Sequence, residues 1–156
     1  MRIVAGGLDA PEVAALLAEH LRDMHAQSPP ESVHALPLEH LRANDITFWT
    51  AWSGNTLLGC GALKELDATH GEVKSMRTAQ AHRRSGVGRA LLQHIMRVAV
   101  QRSYHRLSLE TGSQPAFDAA RRLYESFGFT CCPPFGTYRD DPNSVFLTHV
   151  LSEQRA

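Results

Sequence analysis

Cysteine is scarce in this chain: three residues in 156, at positions 60, 131 and 132. So small and odd a set forms no disulfide framework, and no second Cys or His pair stands at zinc spacing. An excess of either charge is also missing, because 16 Lys and Arg balance 16 Asp and Glu and the pI is near 7.1. Without a broad basic field, the chain is not expected to bind nucleic acid or to dock on an acidic membrane. No apolar run reaches the roughly 18 residues of a membrane-spanning helix. The opening "MRIVAGGLDA" is too short and too polar for a secretory signal, so a reducing cytoplasm is the expected location. Histidine is better supplied, with nine residues, but no H-E-x-x-H pattern occurs and His20 and His25 are five apart, off one helix face. No metal is expected.

What is present is an ordinary globular composition, 43% hydrophobic and 21% charged, with no repeat and no long linker. We read residues 1–156 as a single domain. Arg2 to Val4 is strand-like. From Asp9, Val13, Leu16, Leu17, Leu21 and Met24 recur at three and four, which predicts a helix capped by Asp9 with Pro11 in its first turn. "QSPPESVHALP" is a loop and "LEHLRA" a short helix. Two strands then meet at Ser53-Gly54-Asn55, a hairpin signal, and "GEVKSMRTA" makes a third. Apolar periodicity predicts a helix from Gly86 to Arg102, followed by the strand "HRLSLET". A helix from Pro115 to Phe127 ends at Gly128, and "FTCC" and "SVFLTHVL" close as strands. The resulting order, β-α-α-β-β-β-α-β-α-β-β, is that of an α/β fold: a mixed sheet with helices on both faces. Trp49 and Trp52 alternate with apolar neighbours and read as core or as a cleft floor.

The stretch Arg83-Arg84-Ser85-Gly86-Val87-Gly88-Arg89 carries the strongest chemical signal. Glycines two apart at the mouth of an amphipathic helix allow a tight turn and close approach of a ligand to the backbone. The unpaired N–H groups of a helix start, with the dipole behind them, favour an anion, and three arginines add charge-assisted donors. Spacing separates this from other phosphate loops. A P-loop requires Gly-Lys, a dipeptide absent here. A dinucleotide fingerprint requires a third glycine where bulky Leu91 stands.

This loop resembles the [Q/R]-x-x-G-x-[G/A] pyrophosphate loop of the GNAT superfamily of acyl-CoA-dependent N-acetyltransferases. "RRLYESFGF", Arg121 to Phe129, resembles the same family's Leu-Tyr-Glu-x-x-Gly-Phe signature. The element order is also the family's, so the resemblance covers nearly the whole chain. It implies a mostly antiparallel sheet in which the strand before the loop splays from the next. The backbones of Met76 and Thr78 would hold the pantetheine arm of acetyl-CoA in that gap, and residues 83–89 its pyrophosphate. It implies Tyr124 as proton donor to the departing thiolate, a backbone N–H near Thr78 for the thioester oxygen, and Glu72 or Glu110 as acceptor of the amine proton. Phe117 departs from the pattern where many relatives carry asparagine, which leaves that pantetheine contact to Ser113 or Gln114, or to none.

The resemblance further places the acceptor pocket between the loop holding Ser32 and His34 and the loop holding Tyr138 to Asn143. The expected reaction is direct acetyl transfer to a primary amine of a small molecule or peptide. The alternatives are a non-catalytic acyl-CoA-binding protein on the same fold and an enzyme using a larger acyl-CoA, for which Lys74 or Arg77 would offer a cation. A homodimer is implied by resemblance alone.

Overall fold

The computed structural model describes residues 1–151; the expected domain end at residue 156 lies outside them. Seven strands form one sheet: β1 (Arg2–Ala5), β2 (Ile46–Ser53), β3 (Thr56–Asp67), β4 (His70–Thr78), β5 (Arg106–Gly112), β6 (Thr130–Cys131) and β7 (Ser144–Val150). Their spatial order is β1-β2-β3-β4-β5-β7-β6, and only the β4–β5 pairing is parallel. Three helices, α1 (Pro11–Gln27), α2 (Val87–Gln101) and α3 (Asp118–Ser126), cover it.

The helices lie on both faces, as the element order implies. Strand alternation sends Trp49, Leu63, Val73, Leu107 and Leu109 into one layer with Leu91, Leu92 and Ile95 of α2 and Tyr124 of α3. The opposite face carries Phe48, Cys60 and Ala62 against Val13, Leu16 and Leu17 of α1. Trp49 is therefore core, and Trp52 is half-buried on the α1 side. The hairpin turns at Gly54, whose φ of 56° suits glycine.

Several boundaries differ from expectation for local reasons. Asp9 does not cap α1: the cap position is Ala10, and the Asp9 carboxylate accepts a 2.8 Å bond from Arg42 instead. "LEHLRA" winds as a 3₁₀ segment over Leu38–Arg42 in place of the expected short helix. The final helix begins with a 3₁₀ turn at Pro115–Phe117 before α3 proper. It ends as expected at Gly128, with φ 93°, where the N–H groups of Gly128 and Phe129 return to the carbonyls of Glu125 and Tyr124.

The feature that positions the site is the parting of β4 and β5. They pair only through His70–Arg106, Gly71–Leu107 and Glu72–Ser108. Beyond Glu72, β4 keeps β3 on one side and, among the described residues, has no strand on the other. A bulge helps aim this free edge. Ser75 takes φ 55° and the β3 register slips between Cys60 and Ala62. Alternation is thereby reset, so Met76 joins the α2 layer and Arg77 turns toward α1.

Candidate active site

At the open end of the gap the chain leaves β4, makes a 3₁₀ turn at Gln80–His82 and enters α2 through the glycine loop. Arg84 and Gly86 take left-handed φ values of 65° and 86°. This winding leaves the six backbone N–H groups from Arg84 to Arg89 with no backbone acceptor among the described residues; the first returning bond is from Ala90 to Gly86. Arg83, Arg84, Ser85, Gly86 and Arg89 are exposed, whereas the Val87 side chain is buried in the core and offers only its backbone. Gly88 lies where a Cβ would stand 3.3 Å from Leu123 and 3.7 Å from Thr78 Oγ1, so α2 starts close against the end of β4. Six free donors at the positive end of a fifteen-residue helix fit a diphosphate. The unpaired edge of Met76 and Thr78, on the same side of the molecule, fits an extended amide chain.

Tyr124 belongs to the α2/α3 layer, where its ring packs edge-on against Phe129. It is 7% exposed, its hydroxyl has no hydrogen-bond partner among the described residues, and burial together with the charge of Glu110 raises its pKa. Glu110 comes from the opposite face. Its carboxylate accepts a 2.7 Å bond from Ser144, and burial pushes its pKa up to about 7.

Glu72, expected near a strand end, is deeply buried at 3% exposure, and one of its oxygens is bonded by two neighbours. Lys74 Nζ lies 3.2 Å from its Oε2, and the Tyr138 hydroxyl donates to the same oxygen at 2.5 Å. Burial and the charge of Glu72 raise the Tyr138 phenol. The ring of Tyr138 is packed edge-on against His34, at 4.9 Å between centroids, and against Phe135 and Phe146.

The acceptor-side residues converge. Ser32 donates to Asp141 at 2.5 Å and Asn143 reaches Ser32 at 3.4 Å, tying together segments more than 100 positions apart in sequence. Above them opens a cavity of about 350 Å³ lined by Glu31, His34, Thr137, Tyr138, Arg139, Asp140 and Asp141. The Ser113 hydroxyl is bonded to the Pro142 carbonyl, and Gln114 joins the same loops through Ser28 and Asn143. No group of three or more His, Cys, Asp or Glu able to hold a metal occurs among the described residues.

Sequence reasoning named Lys74 and Arg77 as candidate cations but passed over the pairing that each one makes. Lys74 and Glu72 are two apart on one strand and must share a face, a signal that was present. The buried Arg77 instead bonds Glu19 at 2.7 Å and Asp23 at 2.5 Å on α1, a pairing no local pattern announces.

A parted strand pair with a glycine-capped helix at its mouth is the architecture of an acyl-CoA-dependent transferase. Residues 13–129 match the Acetyltransferase (GNAT) family, and the chain belongs to it, as an N-acetyltransferase. It is 58% identical over 151 residues to YsnE of Bacillus subtilis strain 168, described as an uncharacterised N-acetyltransferase, covering 97% of this chain and 100% of that one. A Klebsiella pneumoniae protein assigned as an acyl-CoA N-acyltransferase is similar in structure, with TM-score 0.76 and 28% identity over 96% of this chain and 97% of that one. A GNAT acetyltransferase of Elizabethkingia anophelis, solved with acetyl-CoA bound, shares the fold at TM-score 0.69 and 19% identity, over 96% and 97% of the two chains. Among the described residues no helix is long and apolar enough to cross a membrane.

Proposed function

We propose that this chain, residues 1–156 acting as one domain, moves the acetyl group of acetyl-CoA to a primary amine by direct transfer in a ternary complex. The observation that carries the reading is the pairing of an unpartnered β4 edge with six free N–H groups at the start of α2. Residues 83–89 hold the pyrophosphate, with the arginines adding charge. The Met76 and Thr78 backbones hold the pantetheine in place of a strand neighbour, and an N–H near Thr78 faces the thioester oxygen as charge builds there.

The amine approaches from the face that carries Glu110, beneath the loops of Ser32, His34 and Asn143. As the C–N bond forms and the C–S bond breaks, Glu110 takes the amine proton and Tyr124 gives its own to the sulfur. A carboxylate with a pKa of about 7 is half ionised at neutral pH, which suits a base. Glu72, bonded by Lys74 and Tyr138, is the less available of the two carboxylates. The raised phenol of Tyr124 stays protonated at neutral pH, so it carries a proton to offer the sulfur as negative charge builds there.

Isothermal titration with acetyl-CoA tests the loop. Micromolar binding is expected, and Gly86→Glu, which sets a carboxylate among the phosphate donors, should abolish it. No binding by the wild type ends the reading. With binding established, amines are screened for acetylation, and Tyr124→Phe should lower kcat at least tenfold with the affinity for acetyl-CoA unchanged. Tight binding with no transfer to any amine would leave a non-catalytic acyl-CoA-binding protein.

A further inference from the structure

Glu72 on β4 and Glu110 on β5 face the same side of the sheet from the two arms of the gap, and the ammonium of Lys74 is bonded to the first of them. Lys74 follows Glu72 by two positions, so both side chains leave the same face of β4. Its Nζ lies 3.2 Å from Glu72 Oε2 and 2.9 Å from Tyr138 Oη, and Tyr138 closes the triangle by donating to that carboxylate. Side-chain exposure is 9% for Lys74 and 4% for Glu72, so little water screens either charge.

Such a triangle is a poor device for stability alone. The cost of desolvating two charges cancels most of their attraction, and apolar side chains of the same volume would fasten the Tyr138 loop as well. What an ion pair supplies is charge at a fixed place. The groups around Glu110 show where it acts. Ser144 donates to it from β7, and the charges of Lys74 and Glu72 on β4 and of Asp141 in the loop before β7 act on it. Tyr124 of α3 and Tyr138 both feel its charge. Lys74 is the one cation in this set.

Building on the acetyl-transfer reading above, we propose that Lys74 is a positioning residue: it engages Glu72 and leaves Glu110 as the carboxylate free to take the amine proton. The signs are separable. The charge of Lys74 lowers the proton affinity of Glu110, whereas those of Glu72 and Asp141 raise it. Removing Lys74 and removing the charge of Glu72 therefore move Glu110 in opposite directions, an outcome that loss of packing does not produce.

The test is a pH titration of the intact protein labelled with carboxyl ¹³C-glutamate, following Glu110 by NMR, beside the pH profile of kcat/KM. In Lys74→Met the Glu110 midpoint is expected to rise by about one pH unit, in Lys74→Arg to stay near wild type, and in Glu72→Gln to fall. The acid limb of kcat/KM should follow each shift. Should Lys74→Met fail to fold, Lys74→Gln keeps a donor to Tyr138 and should give the same upward shift. An unmoved Glu110 midpoint in a folded, uncharged variant overturns the proposal. Midpoints that move as expected in a protein that acetylates no amine overturn instead the acetyl-transfer reading beneath it.

Discussion

The ring of Phe117 rests on Gly112 so closely that a Cβ at position 112 would stand 2.2 Å from it. Gly112 ends β5, and its carbonyl is also held by the Arg121 guanidinium, which reaches the Gln114 carbonyl at 3.2 Å as well. The turn that carries the chain from the gap into α3, and so sets the place of Tyr124, is thus built on a glycine with a ring pressed against it. Phe117, the departure from the pattern expected at this turn, therefore serves packing.

Gly112→Ala should therefore cost about 1–3 kcal/mol, because the ring must leave its place or the strand end must shift. In a Phe117→Ala background the same change should cost much less, since its obstacle is gone. Urea midpoints of the two single variants and the double give the coupling. Equal costs in both backgrounds would show that the ring does not constrain residue 112.

How much of this was legible beforehand varied with the range of the interaction. The α2 loop could be read because its chemistry is local: glycines, arginines and helix periodicity lie within one short stretch. The bulge at Ser75 could not, since its φ of 55° is imposed by pairing with β3 and no glycine marks it. Glu72 was placed on the correct strand as a candidate base, but its partner Tyr138 lies 66 residues away, so nothing local announced that the carboxylate would be bonded and buried. Asp9 carried a good capping signal and lost it to Arg42, 33 positions on. Local propensity gave way wherever a distant cation or phenol offered the carboxylate more.

Glu110 should make the folded protein less stable as the pH rises. Its folded pKa of about 7 lies above that of an unfolded glutamate, so the stability it contributes is present in full below about pH 4.3 and is lost as the pH climbs through 7. Glu110→Gln keeps an acceptor for Ser144 and removes the charge. At pH 8 the variant should gain on the order of 2 kcal/mol over wild type, and the gain should vanish near pH 4, as measured by denaturant unfolding at both pH values. The same variant should lose acetyl transfer, an exchange of stability for activity. A destabilised variant at pH 8 would mean that the carboxylate is held by partners stronger than Ser144.

The last expectation concerns the join between α1 and the free edge of β4. Arg77 stands between Met76 and Thr78, its side chain is 8% exposed, and its two ion pairs reach Glu19 and Asp23. Either acid alone still leaves the guanidinium an opposite charge, so Glu19→Gln and Asp23→Asn should each cost little. The double variant leaves a buried cation unpaired and should cost about 3–5 kcal/mol, well above the sum of the singles. Beside them, burial and the charge of Arg77 bring His20 down to about 4, and its Nδ1 has no partner. Because the unfolded histidine protonates near 6.5, this contribution to stability is present above that pH and is lost as the pH falls toward 4. Asp23, lowered by its bond to Arg77, adds a loss of the same sign only below its ordinary range near 3.9. In a Glu110→Gln background, which removes the opposing gain of that carboxyl, unfolding followed from pH 7 to 4 should therefore show a decline that His20→Leu flattens and Asp23→Asn leaves in place. Because Met76 and Thr78 flank Arg77, the double acid variant should also weaken acetyl-CoA binding at pH 7 by about tenfold if the clamp holds the edge straight. Unchanged affinity would confine its role to fastening the helix.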